Sequence, residues 1–256
     1  MTEKVRLGGM ALANGVLVHG PRAWACAVRT PDGELKVVAR PKRFRAVDVR
    51  NPVLRGPARL GEVLFLLPLV KRALPEAKLP MQRPRVLVSM IGTAVVLRGL
   101  RKSSVGPLTR ELVNGLLSVV PAAFALRGGE LAAYHGAEHV SIGSYEHGEV
   151  RPKEHERCGS HLLGPMLLTT AAGNLIADQA PRRLRPAAKL AGAVGSITAS
   201  VEIFNWMTRN DDHPLARALA KPGHELQCRL GTREPSADQL EVAEAALHAC
   251  LELERQ

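Results

Sequence analysis

The stretch Tyr134 to Gly159 reads YHGAEHVSIGSYEHGEVRPKEHERCG and gathers groups that bind metals and move protons. Five of the chain's nine histidines fall between His135 and His161, and Cys158, one of four cysteines, lies among them. His135 and His139 are four residues apart, so on a helix both imidazoles project from one face about one turn apart. Two imidazoles so placed can share one Zn²⁺ at about 2.0–2.1 Å each. With Glu138 between them they spell H-x-x-E-H, the inverted zinc-protease pattern, in which the carboxylate activates the attacking water. Five residues are a short pattern, and Gly136 is a poor helix former. The downstream groups strengthen it: Glu146, His147, His155 and Cys158 all lie within twenty residues of His139. Any of them could complete a tetrahedral site if the loop folds back.

Cys158 sits in HERCG, just before a predicted helix. Arg157 and the helix N-terminus would favour its thiolate there. Glu202, a lone carboxylate in the apolar run SITASVEIFNWM, needs a partner if buried: a metal, a His, or a basic residue such as Arg209 or those of the PRRLR turn. Each of these groups also has a plainer reading. His135 and His139 could be structural, Cys158 a small buried apolar residue, and His147 and His161 surface or capping residues. Three His and one Cys would make a closed structural site, whereas three protein ligands leave one position open for chemistry. The ligand types alone do not choose between these.

The elements that must position these groups fall into three stretches. Residues 1–50 read as strands and turns. GGMALANGVLVHGP is apolar and Gly-punctuated, and WACAVRTPDGELKVVARP reads as a hairpin around Pro31-Asp32-Gly33. Glycines 8, 9, 15 and 20 match neither GxGxxG nor GxxxxGK[ST], so they are expected in turns with positive φ rather than around a phosphate. Residues 51–222 turn helical. Five apolar runs appear there, and the last two, HLLGPMLLTTAAGNLIADQ and PAAKLAGAVGSITASVEIFNWM, are expected to form a helical hairpin with PRRLRP as its basic turn. Residues 223–256 close the chain. Ser236 is the expected N-cap of an amphipathic helix that packs Leu240, Val242, Ala243, Ala246, Leu247, Cys250 and Leu251 on the rest.

A span needs about 20 apolar residues. The first three runs fall short, and the last two come near but are rich in small residues that suit helix packing in lipid or in a soluble core. Mean hydropathy is -0.02, and basic residues flank nearly every run, as on a membrane's cytoplasmic side. Lys and Arg number 35 against 24 Asp and Glu, a net charge of +11. That balance suits an anionic partner, such as the acidic inner face of a membrane. Nucleic acid fits poorly: aromatics are 3 % of the chain, too few for base stacking, and no nucleic-acid-binding signature is present. Scattered cysteines without a CxxC pair, after the polar start MTEKVRLGG, point to a reducing cytoplasmic setting.

Taken in order, GGMALANGVLVHGPRAWACAVRTPDGEL, NPVLRG, YHGAEHVSIGSYEHGE, HERCG and PGHELQCRLGTREPSADQLEVAEAAL resemble the YqhQ-like family, bacterial membrane proteins of unknown function described as predicted metal-dependent enzymes. The resemblance implies a multi-pass protein of the bacterial inner membrane with the His-rich segment facing the cytoplasm. It also implies that His135, Glu138, His139, Glu146, His155, Cys158 and Glu202 match the family's pattern. The chain departs from it in places. Met10 and Asn14 stand where the family has Gln and Glu, which removes polar function from the N-terminal motif. HERCG replaces HPRCG, and PGHELQ replaces PGLWLQ. The apolar segments are shorter and more polar than the family's, so a peripheral or soluble cytoplasmic placement stays open.

The expectation is therefore an α+β chain, a small β-rich region followed by a mainly helical, membrane-associated one. Its leading function is metal-dependent hydrolysis at the membrane–cytoplasm boundary. His135 and His139 bind the metal, His155 and Cys158 are the candidates that complete the site, and Glu138 is the general base. Zinc suits mixed imidazole and thiolate ligands, with iron the second candidate. The alternative is a membrane-associated scaffold with a closed structural metal site, binding acidic lipid or a partner protein. A soluble helical protein without metal is the third reading.

Overall fold

The computed structural model describes residues 4–100, 105–126 and 129–256. Four antiparallel strands open the chain: β1 (Gly8–Leu12), β2 (Gly15–His19), β3 (Ala23–Arg29) and β4 (Leu35–Pro41), in the spatial order β1-β2-β3-β4. Among the described residues eight α-helices follow: α1 (Pro52–Ala73), α2 (Pro84–Leu100), α3 (Pro107–Leu126), α4 (Glu130–His147), α5 (Leu163–Asp178), α6 (Arg185–Met207), α7 (Pro214–Leu226) and α8 (Ala237–Glu254). The layout is α+β.

Side chains alternate across a strand, and here both faces of the sheet are covered. Val16, Val18, Ala25 and Ala27 pack against α4 and α8, meeting Tyr134, Ala137 and Ile142 of the first and Val242, Ala246, Leu247 and Cys250 of the second. On the other face Leu17, Trp24, Cys26 and Val28 meet Leu66, Leu67, Val70 and Leu74 near the end of α1. The sheet thus completes its core with helices from all along the chain. α8 begins with a capping box: Ser236 Oγ accepts from Gln239 N–H at 3.3 Å, and Gln239 Oε1 accepts from Ser236 N–H at 2.9 Å.

The β3–β4 hairpin turns at Gly33, whose φ is +86°. The four glycines at 8, 9, 15 and 20 differ from expectation. Among the described residues positive φ occurs at Gly33, Gly129 and Gly148. The other four are needed for space: a Cβ on Gly15 would lie 2.1 Å from the Ala27 carbonyl, and one on Gly9 would lie 2.2 Å from Glu138 Oε1. Asn14 keeps a polar role, but a structural one. Its amide donates to the Arg29 and Glu76 carbonyls, and its Oδ1 accepts from Lys78 N–H, tying the β1–β2 turn to the segment after α1. Lys42, in the basic run PKRFR, has a buried side chain. It pairs with Glu62 at 2.9 Å and touches His19 Nδ1 at 3.0 Å.

α5 and α6 form a hairpin around the segment 179–184, which carries Arg182 and Arg183. Small residues let the two helices approach closely. A Cβ on Gly173 would lie 3.2 Å from the Gly192 carbonyl, Thr169 Oγ1 donates to the Ser196 carbonyl at 3.1 Å, and Thr169 and Ser200 hydroxyls meet at 2.7 Å. Glu202 on α6 pairs with Arg55 of α1 rather than with Arg209 or the α5–α6 turn; Arg55 Nε reaches Glu202 Oε1 at 2.6 Å.

Candidate metal centre

α4 is covered along most of its length, so Glu138 and His139 are buried and His135 is partly buried. Gly136 is required there. A Cβ at 136 would lie 2.1 Å from the Arg233 carbonyl, because the segment after α7 crosses α4 and bonds to it through Arg233 N–H and the Ala132 carbonyl at 2.9 Å. The residue that weakens the helix locally is the one that lets its neighbour approach. Gly148 ends α4 in the left-handed conformation, with its N–H on the Ser144 carbonyl.

The spacing of four brings His135 and His139 side by side, ring centroids 4.3 Å apart. Each ring is held from behind. His135 Nδ1 donates to the Gly231 carbonyl at 2.8 Å, and His139 Nδ1 to the Lys153 carbonyl at 2.6 Å. A carbonyl only accepts, so both Nδ1 atoms carry the proton and both Nε2 atoms keep a lone pair for a ligand. This is the orientation by outer hydrogen bonds that metal-binding histidines use. Burial, and then the neighbouring His135, push the His139 pKa down to about 3, which keeps that ring neutral.

Cys158 completes a trio, its Sγ 3.5 Å from His135 Nε2. The three ligand atoms lie within 4.8 Å of one another. Tetrahedral zinc bonds would set them about 3.3–3.6 Å apart, so the trio fits with a contraction of up to about 1 Å. The expected low thiol pKa is not found. Burial first, and Glu138 second, raise the Cys158 pKa to about 11, while Arg157 turns to Glu146. A cation would have to displace that proton on binding.

Glu138 Oε2 lies 3.8 Å from both His135 Nε2 and His139 Nε2. That separation is too long for a direct hydrogen bond. Burial raises the carboxyl's pKa, opposed by His135 and His155. His155 stands next to the trio, its ring centroid 5.5 Å from His139, but its nitrogens are engaged elsewhere. Nε2 meets Glu146 Oε2 at 3.1 Å, and Nδ1 accepts from Arg157 N–H at 3.2 Å. The fold therefore brings together His135, His139, Cys158 and Glu138, and sets His155 and Glu146 as a pair beside them. Glu202 does not line the cavity. His147 is exposed. His161, expected at the surface or at a cap, is buried, with its ring stacked on His224 at 6.4 Å.

Sequence reasoning missed Gln227. Wholly buried, it receives His155 N–H on its Oε1 at 3.1 Å, and its amide donates to the His155 carbonyl at 3.3 Å and to Ser160 Oγ at 2.7 Å. It clamps the loop that carries Cys158. Gln227 also starts the π-helical turn Gln227–Gly231, which aims the Gly231 carbonyl at His135; such turns recur at functional sites. The only sequence signal was its place in PGHELQ. Gly9 was missed for the same reason, since contact with Glu138 has no local signature. A cavity of about 440 Å³ opens on the trio. Leu126, Leu131 and Ile142 form one wall, and the strand β1 forms another.

Fold and site together describe an α+β protein whose buried helix α4 offers a two-histidine, one-cysteine cluster beside a carboxylate. Residues 130–253, which begin at α4 and hold the whole cluster, match the family described as "Protein of unknown function (DUF1385)". The chain is also 30% identical over 129 residues to "Uncharacterized protein YqhQ" of Bacillus subtilis (strain 168), an alignment covering 47% of this chain and 40% of that protein. The chain thus spans less than half the length of that relative. Both matches support the YqhQ-like resemblance. No solved structure matches the chain.

Proposed function

We propose that this chain is a metal-dependent hydrolase working at a membrane–cytoplasm boundary. The observation that carries the reading is the convergence of two Nε2 lone pairs and one thiol on a cavity that Glu138 also faces. Zn²⁺, or iron as second choice, would be held by His135, His139 and Cys158. When bound, it would supply the positive charge that activates water and polarises the scissile carbonyl. The chain's own residues do the rest. Glu138 takes a proton from the attacking water at a carboxylate oxygen and hands it to the leaving group, a task suited by a pKa that burial raises. The Gly231 and Lys153 carbonyls hold both rings in the ligand tautomer. A closed structural site would need a fourth protein ligand, and His155 is already committed to Glu146 and Arg157.

The membrane part rests on exposed apolar side chains. Leu87, Val88, Ile91 and Val95 of α2 and Leu112 and Leu116 of α3 are all more than half exposed, a concentration uncommon on a soluble monomer. Taken singly, α6 is the one described helix long and apolar enough to cross a bilayer. Acidic lipid is the partner that matches the net charge of +11.

Elemental analysis of the purified chain tests the reading. About one equivalent of zinc or iron is expected, lost in a His135→Ala/His139→Ala double variant and kept in Glu138→Gln. The cobalt-substituted chain should show a thiolate charge-transfer band that Cys158→Ser removes. No metal in the wild type or the double variant, with equal stability, refutes the metal reading. Flotation with phosphatidylglycerol vesicles but not with phosphatidylcholine vesicles is expected, and indifference to both would remove the boundary placement.

A further inference from the structure

Beside the cluster lies a row of backbone groups that have no hydrogen-bond partner among the described residues. β1 is an edge strand, paired with β2 alone. Its register decides which of its groups face outward. Leu12 and Gly15 flank a two-residue turn, so they are a hydrogen-bonded pair, and with alternation Met10↔Leu17 and Gly8↔His19 are the others. Gly9 and Ala11 then point N–H and C=O away from the sheet. The next outward residue confirms the parity: Ala13 N–H goes to the Lys78 carbonyl at 2.9 Å. Among the described residues the backbone groups of Gly9 and Ala11 have no hydrogen-bond partner. Both residues line the cavity that holds His135, His139, Glu138 and Cys158; Gly9 is exposed, whereas Ala11 is buried, 8 % exposed.

An unpaired edge is a template for another extended chain, and addition of a strand to such an edge is an established mode of peptide recognition. We infer that the substrate of this site is a peptide, bound in extended conformation along β1 through the outward backbone groups of Gly9 and Ala11. The inference rests on the hydrolase reading above and names its substrate class. Residues of a paired strand alternate between faces. The one directed toward α4 would meet the apolar wall of Leu126, Leu131 and Ile142, which favours an apolar side chain next to the cleaved bond. The reaction adds water across the amide. A C–O bond forms, the C–N bond breaks, the acyl part leaves as a carboxylic acid, and the amine takes up the proton that Glu138 removed from the water.

The test uses the full chain after its metal content is known. Acetyl-trileucine hydroxamate is titrated by calorimetry beside octanohydroxamate, which has the same metal-binding head and a chain without amides. The peptide probe should bind at least about tenfold tighter. N-methylation of its amides one at a time should weaken binding about three- to tenfold at alternate positions and leave the positions between unchanged, because strand pairing uses every second amide. Ala11→Pro removes one outward N–H without touching a bond to β2, and edge strands accept proline. It should keep its metal and bind the peptide probe about three- to tenfold more weakly, with octanohydroxamate unaffected. If that variant does not fold, the N-methyl series on the wild type decides alone. Equal or tighter binding of octanohydroxamate, with no N-methyl effect, overturns the peptide assignment in favour of an acyl chain and leaves the hydrolase reading standing. Absence of metal by elemental analysis removes the hydrolase reading and this inference with it.

Discussion

Substituting Gly9 by Ala tests how tightly the site is built. The new Cβ would sit 2.2 Å from Glu138 Oε1 and 2.5 Å from both Cδ and Cγ. Ordinary contact starts at 3.4 Å, so the whole end of the carboxylate side chain must move by at least about 1 Å. An exposed Glu would do so at little cost, but Glu138 is buried and hemmed in by His135 and His139. Overpacking of this kind costs about 1–3 kcal/mol. The backbone adds no penalty, because Gly9 has an ordinary φ, and losing a glycine from the unfolded chain returns about 0.4–1 kcal/mol. The net loss should be about 1–2 kcal/mol. A double-mutant cycle in urea isolates the contact: Gly9→Ala is measured in the wild type and in Glu138→Ala, where nothing remains to collide with. The substitution should destabilise the first and be neutral or stabilising in the second, a coupling of about 1–3 kcal/mol. The same cost in both backgrounds would refute the reasoning, because Gly9 would then matter for a reason other than Glu138.

Gly136→Ala should destabilise by about 1–2 kcal/mol although alanine is the better helix former by about 1 kcal/mol, since its Cβ meets the Arg233 backbone carbonyl at 2.1 Å; a urea midpoint equal to or above wild type would contradict it. Gln227→Leu leaves the His155 N–H without its partner, while the His155 carbonyl keeps Cys158 N–H at 3.2 Å, and should cost about 1–3 kcal/mol. It should also lower metal affinity by about 10–100-fold, readable by competition with a chelator, and unchanged affinity would show that the loop holds Cys158 unaided. Burial, and then the charge of Lys42, lower the His19 pKa to about 3 from 6.5. The unfolded chain therefore binds the proton that the folded chain refuses, and the contribution is complete above pH 6.5 and lost as pH falls toward 3. His19→Asn should flatten the acid limb of the stability profile by one proton, up to about tenfold in folding constant per pH unit, provided the Lys42–Glu62 pair is retained. An unchanged slope would mean that His19 titrates normally.

The relation between sequence and site is clearest at particular residues. His135, Glu138 and His139 were legible because helical spacing places them on one face wherever the helix lies. Cys158 was legible as a candidate by its residue type and proximity. The choice between Cys158 and His155 was not. It depends on where a loop is clamped by Gln227, 69 positions after Cys158 and 72 after His155 in the chain, and on Glu146 taking the His155 ring. The thiol's raised pKa likewise follows from burial, which HERCG could not reveal. For Glu202 the need for a partner was readable, but Arg55, 147 positions earlier, was not.

Local patterns therefore determined the α+β order of the elements, the hairpin at Gly33, the capping box at Ser236, the apolar face of α8 and the pairing of His135 with His139. Each depends on backbone geometry over a few residues. The tertiary structure decided what the glycines are for, that the Lys42 side chain is buried against Glu62 and His19, which groups converge on the cavity, and which edge of β1 faces it. These depend on contacts between segments far apart in the chain, where steric exclusion and desolvation are set by the partner, and no short stretch of sequence carries the partner's position.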